Sequence, residues 1–167
     1  MEPTFRKATA SDIKEIYSVM KKAGYIDIFY GGKSEEIVIP QLIKNLFDSK
    51  NNITIIIGEV NRQIVAYSMF GPYAQYKSPR FPEEKENFAY SKGFGAYPEG
   101  KGYGTMILVA TESFAKKEGY KGMYTDVASN NKASLRVQEK AGFQRIGEFE
   151  DKKRPMGVRS VVFRKIF

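Results

Sequence analysis

Residues 99–105 read EGKGYGT, with glycine at 100, 102 and 104 and Lys101 between the first two. A strand-like run, FAYSKGFGAYP (88–98), precedes this stretch, and an apolar pattern at helical spacing follows it, so the glycines stand where a strand hands over to a helix. At such a point the first helical N–H groups lack partners, the helix dipole is positive, and a backbone without Cβ atoms lets an anion approach. The stretch therefore predicts a phosphate-binding turn. It is not a Walker loop, which needs G-x-x-x-x-G-K-S/T, because Lys101 precedes Gly102. A dinucleotide fingerprint begun at Gly100 would place its third glycine at position 105, which is Thr, and its acid about 20 residues on would fall near Glu118, inside the predicted helix.

Working outward, TFRKA (4–8) reads as a strand. Ser11 reads as the cap of a helix carrying Ile13, Ile16, Val19 and Met20 on one face and stopped by Gly24. A second helical stretch, SEEIVIPQLIKNLFDSK (34–50), contains Pro40, which should break or kink it. NITIIIGEV and QIVAYSMFGPY read as two strands of a hairpin turning at Asn61-Arg62, and QYKSPRFPEEKEN (75–87) as an exposed charged loop. The two glycines in 88–98 suggest a bulge or the close approach of another backbone. Past the glycine turn, Tyr103, Ile107, Ala110 and Phe114 share a helix face. GMYTDV (122–127) is a strand, NKASLRVQEKAG (131–142) a helix closed by Gly142, and FQRIGEFE and VRSVVFRKIF are two final strands. The order β-α-α-β-β-β-α-β-α-β-β predicts a mixed α/β (α+β) layer in one domain spanning 1–167.

Composition narrows the chemistry. The chain has 167 residues with neither Cys nor His, which excludes Cys nucleophiles, Ser-His-Asp triads and nearly all zinc sites, so no metal is expected. The net charge of +8, from 27 Lys plus Arg against 19 Asp plus Glu, favours a polyanionic partner. A nucleic-acid module is one such reading, but no basic run exceeds DKKRP or interleaves with aromatics along one helix, which counts against it. The N-terminus carries no apolar leader and no stretch approaches about 18 apolar residues, which predicts a soluble cytoplasmic protein with no membrane partner. Oligomeric state is not legible, and a homodimer stays open.

EGKGYG resembles the R/Q-x-x-G-x-G/A signature of the GNAT superfamily of acyl-CoA-dependent N-acetyltransferases, with Gly102 and Gly104 as its defining glycines. NNKASLRVQEKAGF (130–143) is similar to the second motif of that family, an Asn opening a helix that ends in E-K-x-G-F, and FRKATASDIKEI is similar to its first strand and helix. The wording KASLRVQEKAGF resembles the ribosomal-protein alanine acetyltransferase branch. The resemblance implies a GNAT fold of about seven strands with helices on both faces and a cofactor cleft where the fourth and fifth strands splay. It implies acetyl-CoA as co-substrate and a primary amine as acceptor. Gly100, Lys101, Gly102, Tyr103, Gly104 and Thr105 would cradle the pyrophosphate, Phe94, Gly95 and Ala96 would bond the pantetheine and the acetyl carbonyl, and Asn131 would reach the cofactor from the other side.

Two positions depart from the family. Glu99 stands where Gln or Arg is usual, an acid beside a polyphosphate, which opposes binding unless it turns to solvent or pairs with Lys101. Gln138 stands where many members carry the Tyr that protonates the leaving thiolate. The resemblance then points to Ser134 as the acid and to Asp126 as the base, with Tyr97, Tyr103 and Tyr124 as substitutes for the acid and Glu83, Glu84 and Glu86 behind Asp126 as bases. The alternative is a GNAT fold that binds acyl-CoA without catalysis.

Overall fold

The computed structural model describes residues 2–75 and 87–167. Apart from its two ends, the charged segment 75–87, with Glu83, Glu84 and Glu86, lies outside them. The chain runs β1 (Thr4–Lys7), α1 (Ile13–Lys22), α2 (Tyr25–Tyr30), α3 (Glu35–Phe47), β2 (Thr54–Val60), β3 (Gln63–Pro72), β4 (Phe88–Ala96), α4 (Tyr103–Lys117), β5 (Gly122–Ala128), α5 (Lys132–Lys140), β6 (Gln144–Glu150) and β7 (Arg159–Ile166). The strands form one seven-stranded mixed sheet in the order β1-β2-β3-β4-β5-β7-β6. Two compact units divide the chain, Met1–Gly71 with Lys92–Thr111 and Pro72–Ser91 with Glu112–Phe167, so β4 and α4 each contribute residues to both. No helix among the described residues is long and apolar enough to cross a membrane.

In the first unit, Ile13, Ile16, Val19 and Met20 of α1 are buried, as their spacing predicts. They pack with Val38, Leu42 and Leu46 of α3 and with Ile55, Ile57, Ile64, Tyr67 and Met69 of β2 and β3. Ser11 is not the cap. Asp12 accepts the backbone N–H of Thr9 at 2.8 Å and its hydroxyl at 3.1 Å, and a 3₁₀ turn over Ala10–Asp12 leads into α1. A short helix, α2, that the periodicity did not predict follows Gly24, whose φ of +80° is the left-handed stop expected there. Pro40 does not break α3. The ring removes only the N–H that would bond to Glu36, and Val38 and Leu42, both essentially unexposed, anchor the helix on either side.

The β2–β3 hairpin turns where the sequence places it. Asn61 and Arg62 have φ of +51° and +64°, the two positive angles of a type I′ turn, and Val60 pairs with Gln63 across it. A register shift at Gly58/Glu59 accompanies a guanidinium that ties three elements: Arg6 of β1 donates two 2.8 Å bonds to Asp12 and further bonds to Glu59 at 2.8 and 3.1 Å.

In the second unit, β5 pairs antiparallel with β7 along Gly122–Ala128, and β6 pairs antiparallel with β7. The parallel register of β4 with β5 among the described residues covers Phe88–Tyr90 with Gly122–Tyr124. Tyr73, Phe88, Tyr124 and Val162 form the core here, and burial followed by neighbouring Tyr124 pushes the Tyr73 phenol up to about 12. Along α4, which belongs to the first unit up to Thr111 and to the second from Glu112, the buried residues are Ile107, Leu108, Thr111 and Ala115, while Tyr103, Ala110 and Phe114 are only half-buried, a rotation of the face expected from the sequence. Gly142 closes α5 in a Schellman arrangement: Phe143 N–H bonds to the Gln138 carbonyl and Gly142 N–H to that of Glu139, each at 3.0 Å.

The Arg6 hydrogen bonds, ahead of every other cause, hold the Asp12 carboxyl well below the usual carboxylate range. Its folded value lies below the unfolded one, so its contribution to stability is complete above the unfolded value and is lost as pH falls toward the folded one. Denaturant midpoints should therefore drop between about pH 5 and pH 2, and Asp12→Asn should be less stable at pH 7 yet show a flatter profile in that window.

Candidate active site

Gly100 and Gly102 adopt φ of +76° and +78°, a conformation that a side chain would strain. The Gly102 carbonyl accepts from the N–H groups of Thr105 and Met106 at 3.0 and 3.1 Å, which closes the first turn of α4. The outward-pointing donors are thus those at the helix start, Tyr103 and Gly104, where α4 carries no acid. A Cβ at Gly100 would meet nothing within 4 Å, and one at Gly102 only Met106 Cε at 3.9 Å, so open space surrounds the turn. Lys101 and Glu99 are both solvent-exposed, which leaves the acid free to face water rather than an anion in the turn. Donors, positive helix end and open approach together fit a diphosphate.

Upstream in the same unit, the Tyr97 N–H bonds to the Val65 carbonyl at 2.9 Å and fixes the end of β4 against β3. The close approach expected at the β4 glycines comes from side chains rather than backbone. A Cβ on Gly95 would lie 2.6 Å from Tyr67 Cε1 and 3.0 Å from Ala23 Cβ, and one on Gly93 would lie 3.3 Å from the Tyr25 ring. Gly95 is buried in this packing, and Phe94 and Ala96 are half-buried.

Asp126 sits on β5 in the second unit, its side chain 15% exposed. Its Oδ1 accepts a short bond from the Tyr90 hydroxyl; its Oδ2 accepts from Arg154 Nη2 at 2.9 Å and lies 3.2 Å from Ser160 Oγ. Ser160 in turn accepts from Arg154 Nε at 2.7 Å and lies 3.1 Å from Asp151 Oδ2. One guanidinium and one hydroxyl proton thus serve two carboxylates, and Asp126 is held rigidly from three sides. Sequence reasoning missed Tyr90, Asp151, Arg154 and Ser160. DKKRP read only as a charge run, and the register that sets Asp126 opposite Val162 has no sequence signal.

Asn131 caps α5, its Oδ1 accepting the Ser134 N–H at 3.1 Å. Ser134 is half-exposed on the first turn, and Gln138, one turn further along that helix, is wholly buried with neither amide atom hydrogen-bonded.

A family model described as the Acetyltransferase (GNAT) family matches residues 24–143, a span that includes the glycine turn, Asp126, Asn131 and the close of α5. The chain belongs to the GNAT acetyltransferase family. It is accordingly an acyltransferase with a GNAT fold. No curated protein matches its sequence. Among solved structures, a ribosomal-protein-alanine N-acetyltransferase from Brucella melitensis is 18% identical, with a TM-score of 0.74 over 98% of this chain and 99% of that one. The yncA protein of Salmonella typhimurium, solved with its cofactor acetyl-CoA, is 16% identical, with a TM-score of 0.71 over 99% and 94%. AAC(6')-Ib, solved with paromomycin and acetyl-CoA, is 18% identical, with a TM-score of 0.73 over 99% and 94%. At these identities the likeness is one of fold.

Replacing Arg154 with Met would leave Asp126 and Asp151 without their shared cation. Because the ion pair is only partly exposed, the expected loss at pH 7 is about 1–3 kcal/mol. Urea melts of the two proteins at pH 7 read this directly.

Proposed function

We propose that the chain moves an acetyl group from acetyl-CoA to a primary amine by direct attack in a ternary complex, and that residues 1–167 serve as one catalytic domain. The observation that carries this reading is the left-handed Gly100–Gly102 turn opening α4 inside a span matched by the family model. Acetyl-CoA supplies an acetyl group activated as a thioester. The N–H groups at the start of α4, with Lys101, bind the pyrophosphate; Gly100, Gly102, Gly104, Tyr103 and Thr105 complete the cradle. Backbone groups of Phe94, Gly95 and Ala96 bond the pantetheine and orient the acetyl carbonyl, and Asn131 adds a contact through its amide.

Without Cys, no acyl-enzyme is available, so the amine must attack while the thioester is bound. The amine arrives protonated, with a pKa of about 10.4 for a lysine-type group, and needs a base. Asp126 fills that role. With Oδ2 fixed by Arg154 and Ser160, it takes the proton through Oδ1 and the Tyr90 hydroxyl that bonds there. Ser134, on the first turn of α5, returns a proton to the leaving sulfur. Gln138 cannot do so, because an amide has no proton to give near neutral pH.

The similar structures are named for a ribosomal-protein alanine or were solved with paromomycin, so a peptide with an N-terminal alanine and paromomycin are the first acceptors to try. Release of free CoA should appear with acetyl-CoA and an accepted amine, and calorimetry should register acetyl-CoA binding that Gly102→Val abolishes. A protein that binds no CoA sinks the reading, and one that binds it without turnover on any amine leaves only the cofactor half. Asp126→Asn should lower kcat at pH 7 by about 100-fold and recover part of it above pH 9, where solution supplies neutral amine. Ser134→Ala should lower kcat with acetyl-CoA affinity unchanged.

A further inference from the structure

Tyr67 lies in the helix-side core of the first unit with no exposed surface, and its phenol oxygen has no hydrogen-bond partner. Its ring meets Tyr25 edge-on, the centroids 6.1 Å apart. Phenylalanine would fill the same space without desolvating an O–H, so packing alone gives no reason for the hydroxyl. The oxygen lies 2.9 Å from the point that a Cβ on residue 95 would occupy, so glycine at 95 is what admits the phenol to the backbone of β4. An unspent donor therefore stands over the strand position to which the acetyl-transfer reading assigns the acetyl carbonyl.

We propose, resting on the acetyl-transfer reading above, that the Tyr67 hydroxyl donates a hydrogen bond to the acetyl carbonyl oxygen held along β4 at Gly95. As the amine nitrogen forms its bond to the carbonyl carbon, the C=O π pair moves onto oxygen and the Tyr67 bond strengthens. The pair returns as the C–S bond breaks, the amine proton leaves to its base, and the phenol proton remains on Tyr67 throughout. Burial, with a smaller contribution from Tyr25, raises the Tyr67 pKa well above its ordinary value. The group thus keeps its proton at any working pH and serves as a donor rather than an acid.

Acetyl-CoA labelled with carbon-13 at the carbonyl tests this without an acceptor. Bound to the wild-type protein, the carbonyl resonance should lie downfield of free acetyl-CoA. Tyr67→Phe should move it back toward the free value, with acetyl-CoA affinity and melting temperature no lower and kcat on an accepted amine reduced about 100-fold. A resonance that is the same in both proteins, or an unchanged kcat, overturns the proposal. If Tyr67→Phe does not fold, 3-fluorotyrosine at position 67, a stronger donor of nearly the same shape, should push the resonance further downfield, and no movement overturns it. A wild-type protein that binds no acetyl-CoA removes the acetyl-transfer reading and this one with it, whereas binding with an unresponsive resonance removes this one alone.

Discussion

The chain cannot pass from β4 into α4 without the left-handed backbone at Gly100 and Gly102. Those angles reverse the direction of the strand in a few residues and leave the Gly102 carbonyl to close the first helical turn onto Thr105 and Met106. The same geometry turns the next N–H groups toward solvent with no Cβ in front of them. A side chain at either position would cost strain and fill the space beside the turn, so one constraint fixes both the connection and its open surroundings.

Glycine has a different task on β4. At Gly95 the backbone is asked for space, which Tyr67 takes up, while Gly93 combines a φ of +156°, which side chains rarely adopt, with the nearby Tyr25 ring. The turn thus uses glycine for conformational freedom and the strand uses it for close packing. The second unit handles charge instead. Arg154 offsets two carboxylates that would otherwise repel, and Lys165 bridges Glu112 and the carbonyl of Ala141 at 2.5 and 2.6 Å, joining α4, α5 and β7.

Reading the sequence succeeded where the determining contacts are local. The Asn61-Arg62 turn, the Gly142 helix stop and the glycine turn before α4 each depend on residues within one or two turns of chain, and each appears where its dipeptide or spacing places it. It failed where a distant group decided. Ser11 lost the cap to Thr9 and Asp12, whose carboxylate is drawn by Arg6 across the β1–α1 connection. Pro40 was tolerated because residues on both sides of it are buried in the same core, and α2 went unseen because six residues are too few to show a helical period.

The sequence by itself determined the family, the glycine turn that opens α4 and the exclusion of thiol and imidazole chemistry, since these rest on residue types and short spacings. Only tertiary structure decided what surrounds Asp126 and Gly95. The partners of Asp126 come from β4, β7 and the turn before it, and the phenol beside Gly95 comes from β3. Those placements depend on strand register and packing between segments far apart in the chain, and pairing over such separations leaves no periodic mark in the sequence.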